Sequence, residues 1–271
     1  MDEHTQKAWS EMSEKIEARK MHFTAQYLVD KGWNRTEDEA LIFLKSLSQE
    51  EKDRLYAESN EWSKAQEIQK RKAEAEAKKK RADEQKKKAQ REAYDAYCSR
   101  IPLRYKDADI DHFSGIMQRA CQHIQEGHSM LMLGENGIGK TYLAHANAKR
   151  FVLNGETAMV VKAGPMLSRI KFSFNNDDDC YSFAEKTYGE NIKHLFIDEI
   201  DKISATDADY RYLAYVIDYR YERMLQSVAT GNKKAGVSAK EMVGASTFSR
   251  LTGDGGWALE LGGEDKRKNA K

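Results

Sequence analysis

Gly134-Glu135-Asn136-Gly137-Ile138-Gly139-Lys140-Thr141 is the stretch that decides the fold: a glycine, four residues, then Gly-Lys-Thr. A triphosphate needs backbone N–H groups aimed inward at close range, and glycines at 134, 137 and 139 allow the tight turn that side chains would block. In that geometry Lys140 reaches the β- and γ-phosphates and the Thr141 hydroxyl binds Mg2+. The helix that starts there turns the positive end of its dipole toward the anion. Glycine-rich turns match such a pattern by chance, so the flanks decide. Upstream, Ser129, Met130, Leu131, Met132 and Leu133 form an apolar run suited to a strand buried on both faces. Downstream, 142–153 reads as a helix with Leu143, Ala146 and Phe151 at apolar positions. Strand, glycine loop and helix in that order predict an α/β domain that binds ATP through residues 134–141.

A second apolar run, His194-Leu195-Phe196-Ile197, ends in Asp198 and Glu199. A strand buried on both faces cannot keep carboxylates inside it, so both acids should emerge at its C-terminal end, where ligands of open parallel sheets sit. There Asp198 would hold Mg2+ through its water shell and Glu199 would orient or deprotonate the attacking water. Two acids opening a helix would look the same in isolation. Between the two motifs, 158–162 reads as a strand and 166–172 as part of a helix. Residues 175–179 read as an exposed acidic loop, followed by a helix that includes 181–188. Beyond Glu199, a helix over 210–224 leads to a strand over 225–229 that ends in Thr230, Gly231 and Asn232. An amide at that tip, beside the Asp-Glu strand, suits the attacking water or the γ-phosphate, although an Asn after Gly is more often a turn residue.

The chain has 271 residues, room for one α/β domain and a smaller partner, and a formal net charge of +1 that hides a strongly basic stretch over 64–91. Cys98, Cys121 and Cys180 are widely separated and lack metal-ligand spacing, which argues against a disulfide scaffold or a zinc site. The charged, amphipathic start has no apolar stretch fit for a signal peptide or membrane span, so a cytoplasmic location and no membrane partner are expected. Four regions follow: a helical partner-binding module over 1–61, a charged helical linker over 62–97, an ATPase domain over 98–255 and a flexible basic tail over 256–271. In the first, Trp9, Met12, Ile16, Phe23, Tyr27 and Leu28 recur at helical spacing, Lys31-Gly32-Trp33 interrupts, and Thr36/Glu39 and Ser48/Glu51 form capping boxes. As one helix the linker would span about 50 Å. It lacks a coiled-coil seam, and its lysines suit nucleic-acid phosphates no better than they suit a solvated face.

Pro102-Leu103-Arg104-Tyr105-Lys106-Asp107-Ala108 resembles the Pro-x-Arg-Tyr-x-x-Ala element ahead of the ATPase core in DnaC-type replicative helicase loaders and the related IstB-type transposition helpers, both of the AAA+ superfamily. The resemblance covers about residues 98–255 and takes in the phosphate loop, the Asp-Glu strand and Asn232 in family order. It implies a P-loop AAA+ core, a parallel sheet flanked by helices, behind an α-helical N-terminal region. It makes Asn232 the sensor-one residue and Arg250, in Phe248-Ser249-Arg250-Leu251, the arginine finger supplied by a neighbouring subunit. The family's finger segment usually carries another basic residue where this chain has Ala245, Ser246 and Thr247, and Arg220 and Arg223 remain alternative fingers. Only about twenty residues follow Arg250, so the helical lid is expected to be reduced or absent, with the sensor-two arginine unassigned.

The resemblance further implies a nucleotide-dependent homo-oligomer that hydrolyses ATP at an intersubunit site. Its N-terminal helices would grip a replicative hexameric helicase and load it onto single-stranded DNA. A transposition helper acting on duplex DNA and a nucleotide-switched adaptor with little hydrolysis are the rival readings; an intact Glu199 argues against the adaptor.

Overall fold

Helix-forming residues fill the first third of the chain, and between Gly32 and Pro102 there is neither a glycine nor a proline to stop them. The computed structural model describes residues 3–32, 36–173, 179–203, 206–263 and 265. Trp33, most of the acidic run at 175–178 and the basic residues 266–271 lie outside the described residues. Helix α1 (Glu3–Asp30) ends before Gly32, which adopts φ +92°. Helix α2 (Glu37–Ser46) opens on the capping box expected at Thr36, whose N–H donates to Glu39 at 2.9 Å. Helix α3 (Gln49–Arg100) opens on the second box, with the Ser48 N–H donating to Glu51 at 2.9 Å.

Helix α3 passes through residue 98 without a break, where the composition change suggested a division; the two compact units are instead Met1–Gln85 and Lys86–Lys271. Composition changes where burial changes, but α3 meets no glycine or proline and no capping signal before Pro102, so it continues to Arg100. Exposed i,i+4 pairs such as Glu67 with Arg71 at 2.6 Å support its solvated stretch by a few tenths of a kcal/mol each. The first unit buries Ala25, Ala40 and Leu44 with Leu28, Leu41 and Leu55 around them, and joins Thr24 to Ser59 by a buried hydroxyl pair at 2.9 Å. Trp9, Met12 and Ile16 on α1 remain exposed.

In the second unit five strands form an all-parallel sheet: β1 (Met130–Gly134), β2 (Ala158–Lys162), β3 (His194–Asp198), β4 (Gln226–Asn232) and β5 (Trp257–Leu261), in spatial order β2-β3-β4-β1-β5. The period of two explains both layers. Leu131 and Leu133 of β1 point into one core with Leu195 and Ile197 of β3, while Met130 and Met132 point into the other with Phe196. The first core is covered by α6 (Ala163–Ser173), α7 (Cys180–Tyr188), α8 (Asp207–Glu222), the short α9 (Ala239–Val243) and α10 (Ala245–Thr252). The second is covered by α4 (Gly115–Gln125) and α5 (Lys140–Leu153).

Because β4 lies between β1 and β3, the C-terminal ends of these three strands share one rim. Residues 257–261, expected within a flexible tail, form the edge strand β5 beside β1, with Trp257, Leu259 and Leu261 alternating against the second core. The ordered sheet therefore extends past residue 255. No described helix is long and apolar enough to cross a membrane.

Candidate nucleotide-binding site

The loop at 134–141 joins β1 to α5 at that rim. Gly134 has no room for a side chain: an added Cβ would lie 2.5 Å from the Ile138 side chain and 2.6 Å from the Leu261 carbonyl oxygen. Gly139 turns the chain into α5 at φ +107°, a conformation that suits glycine. The first N–H groups of α5 then point into the loop with the positive end of the helix dipole behind them. The Lys140 side chain is buried and its Nζ donates to the carbonyls of Gly134 at 3.0 Å and Glu135 at 2.7 Å, and to Asn232 Oδ1 at 3.2 Å.

One cleft of about 560 Å³ collects Asn136, Gly137, Gly139, Lys140, Thr141, Asp198, Glu199 and Asn232, a volume within the usual range for small-molecule sites. Glu135 and Ile138 belong to the loop but do not line the cleft; Ile138 packs into the second core. At the floor, Asp198 accepts from Thr141 Oγ1 at 2.7 Å and from Thr230 Oγ1 at 2.5 Å. A hydroxyl from the first turn of α5 and a carboxylate from the end of β3 are the hard oxygen donors Mg2+ prefers, so Thr141 and Asp198 fit that ion.

Glu199 follows in a left-handed conformation, φ 58° and ψ 39°, which is uncommon for a residue with a side chain and is tolerated mainly where the surroundings fix it. Its carboxylate binds Lys162 at 3.2 Å and Lys202 at 2.8 Å. Burial alone would push the Glu199 carboxyl up, but hydrogen bonds from Lys202 and then Lys162 outweigh it and hold the group below the usual carboxylate value.

Two positioning candidates, Asp201 and Thr230, have no signature in the sequence. Asp201 accepts from the Asn232 main-chain N–H at 2.8 Å and from its Nδ2 at 2.9 Å, which aims the amide oxygen at Lys140. Thr230 holds the other oxygen of Asp198. Arg104, Tyr105, His112 and Phe113 line the far side of the cleft, so the Pro102–Ala108 element is part of the site's wall. Tyr105 stacks on His145 at 4.7 Å, and the His112 ring shares a hydrogen bond with the Tyr142 hydroxyl at 2.9 Å. The Asp265 carboxylate rests against Gly137, in the space a side chain there would need.

The three arginines separate cleanly. Arg250, on α10, lies outside the cleft; its Nε donates to Asp218 at 3.0 Å, its guanidinium sits 4.6 Å from the Tyr221 ring, and its side chain is 41% exposed. Arg223 covers the Tyr219 ring at 3.6 Å. Arg220 is fully buried and donates to the carbonyls of Tyr188, Ile192, Lys193 and Gln226 and to the Ser227 hydroxyl at 2.6–3.0 Å. Every one of its donors is spent inside the fold, which removes it as an alternative finger.

A family model described as "IstB-like ATP binding protein" matches residues 43–246. A replicative helicase loader DnaC from Buchnera aphidicola subsp. Baizongia pistaciae is 28% identical over 99 residues, which cover 36% of this chain and 39% of that protein. Among solved structures, a crystal structure of the DnaC helicase loader superposes with a TM-score of 0.50 at 18% identity, over 59% of this chain and 99% of that one. A crystal structure of DnaI aligns with a TM-score of 0.47 at 16% identity, over 62% of this chain and 95% of the other. The match to the DnaC crystal structure concerns the fold.

Proposed function

The chain belongs to the family of IstB-like ATP-binding proteins, within the DnaC/IstB-like AAA+ group, and from that premise we propose that it is an ATP-hydrolysing loader of a replicative hexameric helicase onto single-stranded DNA. The observation that carries the catalytic half is the convergence of Lys140, Thr141, Asp198, Glu199 and Asn232 on one cleft from three adjacent strand ends. In this reading the N–H groups of residues 134–141 and Lys140 bind the phosphates of ATP, and Thr141 and Asp198 hold Mg2+. Bound there, the ion neutralises charge on the phosphate oxygens. Glu199 takes the proton of the attacking water, Asn232 orients that water, and Arg250 of a neighbouring copy stabilises charge on the transferred phosphoryl group. Arg250 lies outside its own chain's cleft, as a residue that serves a neighbour's site would.

The loading half is supported by the partial identity to a replicative helicase loader, and the helices of residues 1–97 are the segment proposed to grip the helicase. A second reading, an ATPase helper of DNA transposition, rests on the resemblance of residues 102–108 to the IstB-type helpers together with the match to a model of IstB-like ATP-binding proteins. Copurification of the full chain with a hexameric helicase, and ATP-dependent delivery of that helicase to a single-stranded template, supports the loader. Stimulation of a transposase with no helicase bound supports the helper instead. Mixing Arg250→Ala chains with Lys140→Ala chains tests the finger: partial recovery of hydrolysis is expected, and no recovery together with a silent Arg250→Ala change removes that role.

A further inference from the structure

The chain turns sharply between α4 and β1, at the end of β1 remote from the nucleotide loop. The turn is fixed by hydrogen bonds from the Glu126 N–H to the Gln122 carbonyl at 2.9 Å, from Gly127 to Ile124 at 3.0 Å and from His128 to His123 at 3.3 Å, with Gly127 at φ +93°. It folds the His128 ring back over His123, with centroids 4.6 Å apart and planes inclined by 26°, and sets Glu126 beside both. One ligand atom from each of His123, Glu126 and His128 lies within 4.8 Å of the others. His123 Nε2 is buried without a hydrogen-bond partner among the described residues. The site is therefore a rigid backbone turn carrying two imidazoles, a carboxylate and an unsatisfied ring nitrogen.

From this geometry we infer that His123, Glu126 and His128 form a binding site for a transition-metal dication of the Zn2+ class. Two imidazoles and one carboxylate are a donor set that such ions accept, and three protein ligands leave a fourth position open to water. Bonds of about 2.1 Å in a tetrahedral arrangement place ligand atoms about 3.4 Å apart. His128 Nε2 and Glu126 Oε2 are now 4.0 Å apart, on side chains 41% and 67% exposed, so both are free to close on an ion. Because stacked rings cannot share an in-plane ion, His128 has to rotate out of the stack. Nε2 is the His128 nitrogen that already approaches Glu126, and it is the one taken as the ligating atom. Trp257 packs edge-on against His123 at 5.6 Å and walls the site on its apolar side.

The test uses the full chain, stripped with a chelator and free of nucleotide, titrated with Co2+ and then with Zn2+. The expected result is a single equivalent of Co2+ with the visible absorption of a low-coordinate nitrogen and oxygen site, displaced by Zn2+. Glu126→Gln and His128→Ala, both on exposed side chains that leave the fold intact by circular dichroism, should each weaken binding by about ten-fold or more. Asp198→Asn and Cys98→Ser should leave it unchanged, which separates this site from the nucleotide cleft and from thiol binding. Absence of stoichiometric uptake, or uptake indifferent to both Glu126→Gln and His128→Ala, overturns the proposal and makes the histidine pair a packing feature.

Discussion

Replacing Asp201 by Ala should cripple turnover while leaving nucleotide binding largely in place. Asp201 lines the cleft, and its carboxylate accepts both the main-chain N–H and the Nδ2 of Asn232, at 2.8 and 2.9 Å. Hydrogen bonds to a charged acceptor contribute about 1.5–3 kcal/mol each before water takes over part of the role. Both are partly buried, so a net loss of about 1–3 kcal/mol in the anchoring of Asn232 is expected. An amide released to wander by 1 Å costs about 10²-fold in a positioned reaction, so kcat should fall by that order with little change in KM. Asp201→Asn, which keeps one acceptor oxygen and loses the charge, should fall between the two. Steady-state hydrolysis gives kcat and KM, and a fluorescent ATP analogue gives affinity. If Asp201 acts through Asn232, adding Asp201→Ala to Asn232→Ala costs little more; fully additive losses, or an unaltered kcat in Asp201→Ala, refute the reasoning.

Other consequences follow from named contacts. Removing the Lys162 and Lys202 pairs with Glu199 by a double change to Ala should raise the Glu199 pKa and speed basal hydrolysis by a few-fold, since each exposed pair is worth about 0.2–1 kcal/mol; a slower enzyme means that the lysines assist turnover. Arg220→Leu strips the donors from four carbonyls, those of Tyr188 and Gln226 in buried bonds and those of Ile192 and Lys193 in partly buried ones, and should cost about 3–5 kcal/mol in urea unfolding; a loss under about 1 kcal/mol shows that the buried guanidinium is dispensable. Burial is the largest influence on His123, His145 and His194 and holds each below the ordinary value of 6.5. Each is depressed in the folded state, so it adds stability above about pH 6.5 that is withdrawn as pH falls through the folded values. The thermal midpoint should therefore drop between pH 8 and pH 5, and a flat or rising midpoint contradicts this.

The strands that carry the chemistry were legible because burial on both faces leaves continuous apolar runs. The run ending at Leu133 and the run ending at Asp198 are β1 and β3 to within a residue, and 158–162 is β2 itself. The strand β5 was missed although Trp257, Leu259 and Leu261 alternate with Ala258 and Glu260: five residues flanked by glycines give a short signal, and the edge position is set only by pairing with β1. Asp198 and Glu199 could be read from their place at a strand end. Thr230 and Asp201 could not, because their partners lie on other strands and loops and only the sheet order brings them together. Arg220 looked like any helix-borne arginine beside Arg223. Its burial is decided by the carbonyls around residues 188–193, distant in sequence and without a pattern of their own. Tyr105 was visible through the family resemblance of residues 102–108, while His112 and Phe113 carried no such signal and join it only as lining of the folded cleft.

Hydrolysis in this cleft with Glu199 as the water-activating base is checked by comparing Glu199→Gln with Lys140→Ala in single-turnover and binding measurements on the full chain. Glu199→Gln should bind ATP with near-normal affinity and hold it unhydrolysed, with turnover reduced by about 10²-fold or more, while Lys140→Ala should lose the nucleotide. Undiminished hydrolysis by Glu199→Gln, or full ATP affinity in Lys140→Ala, would contradict it.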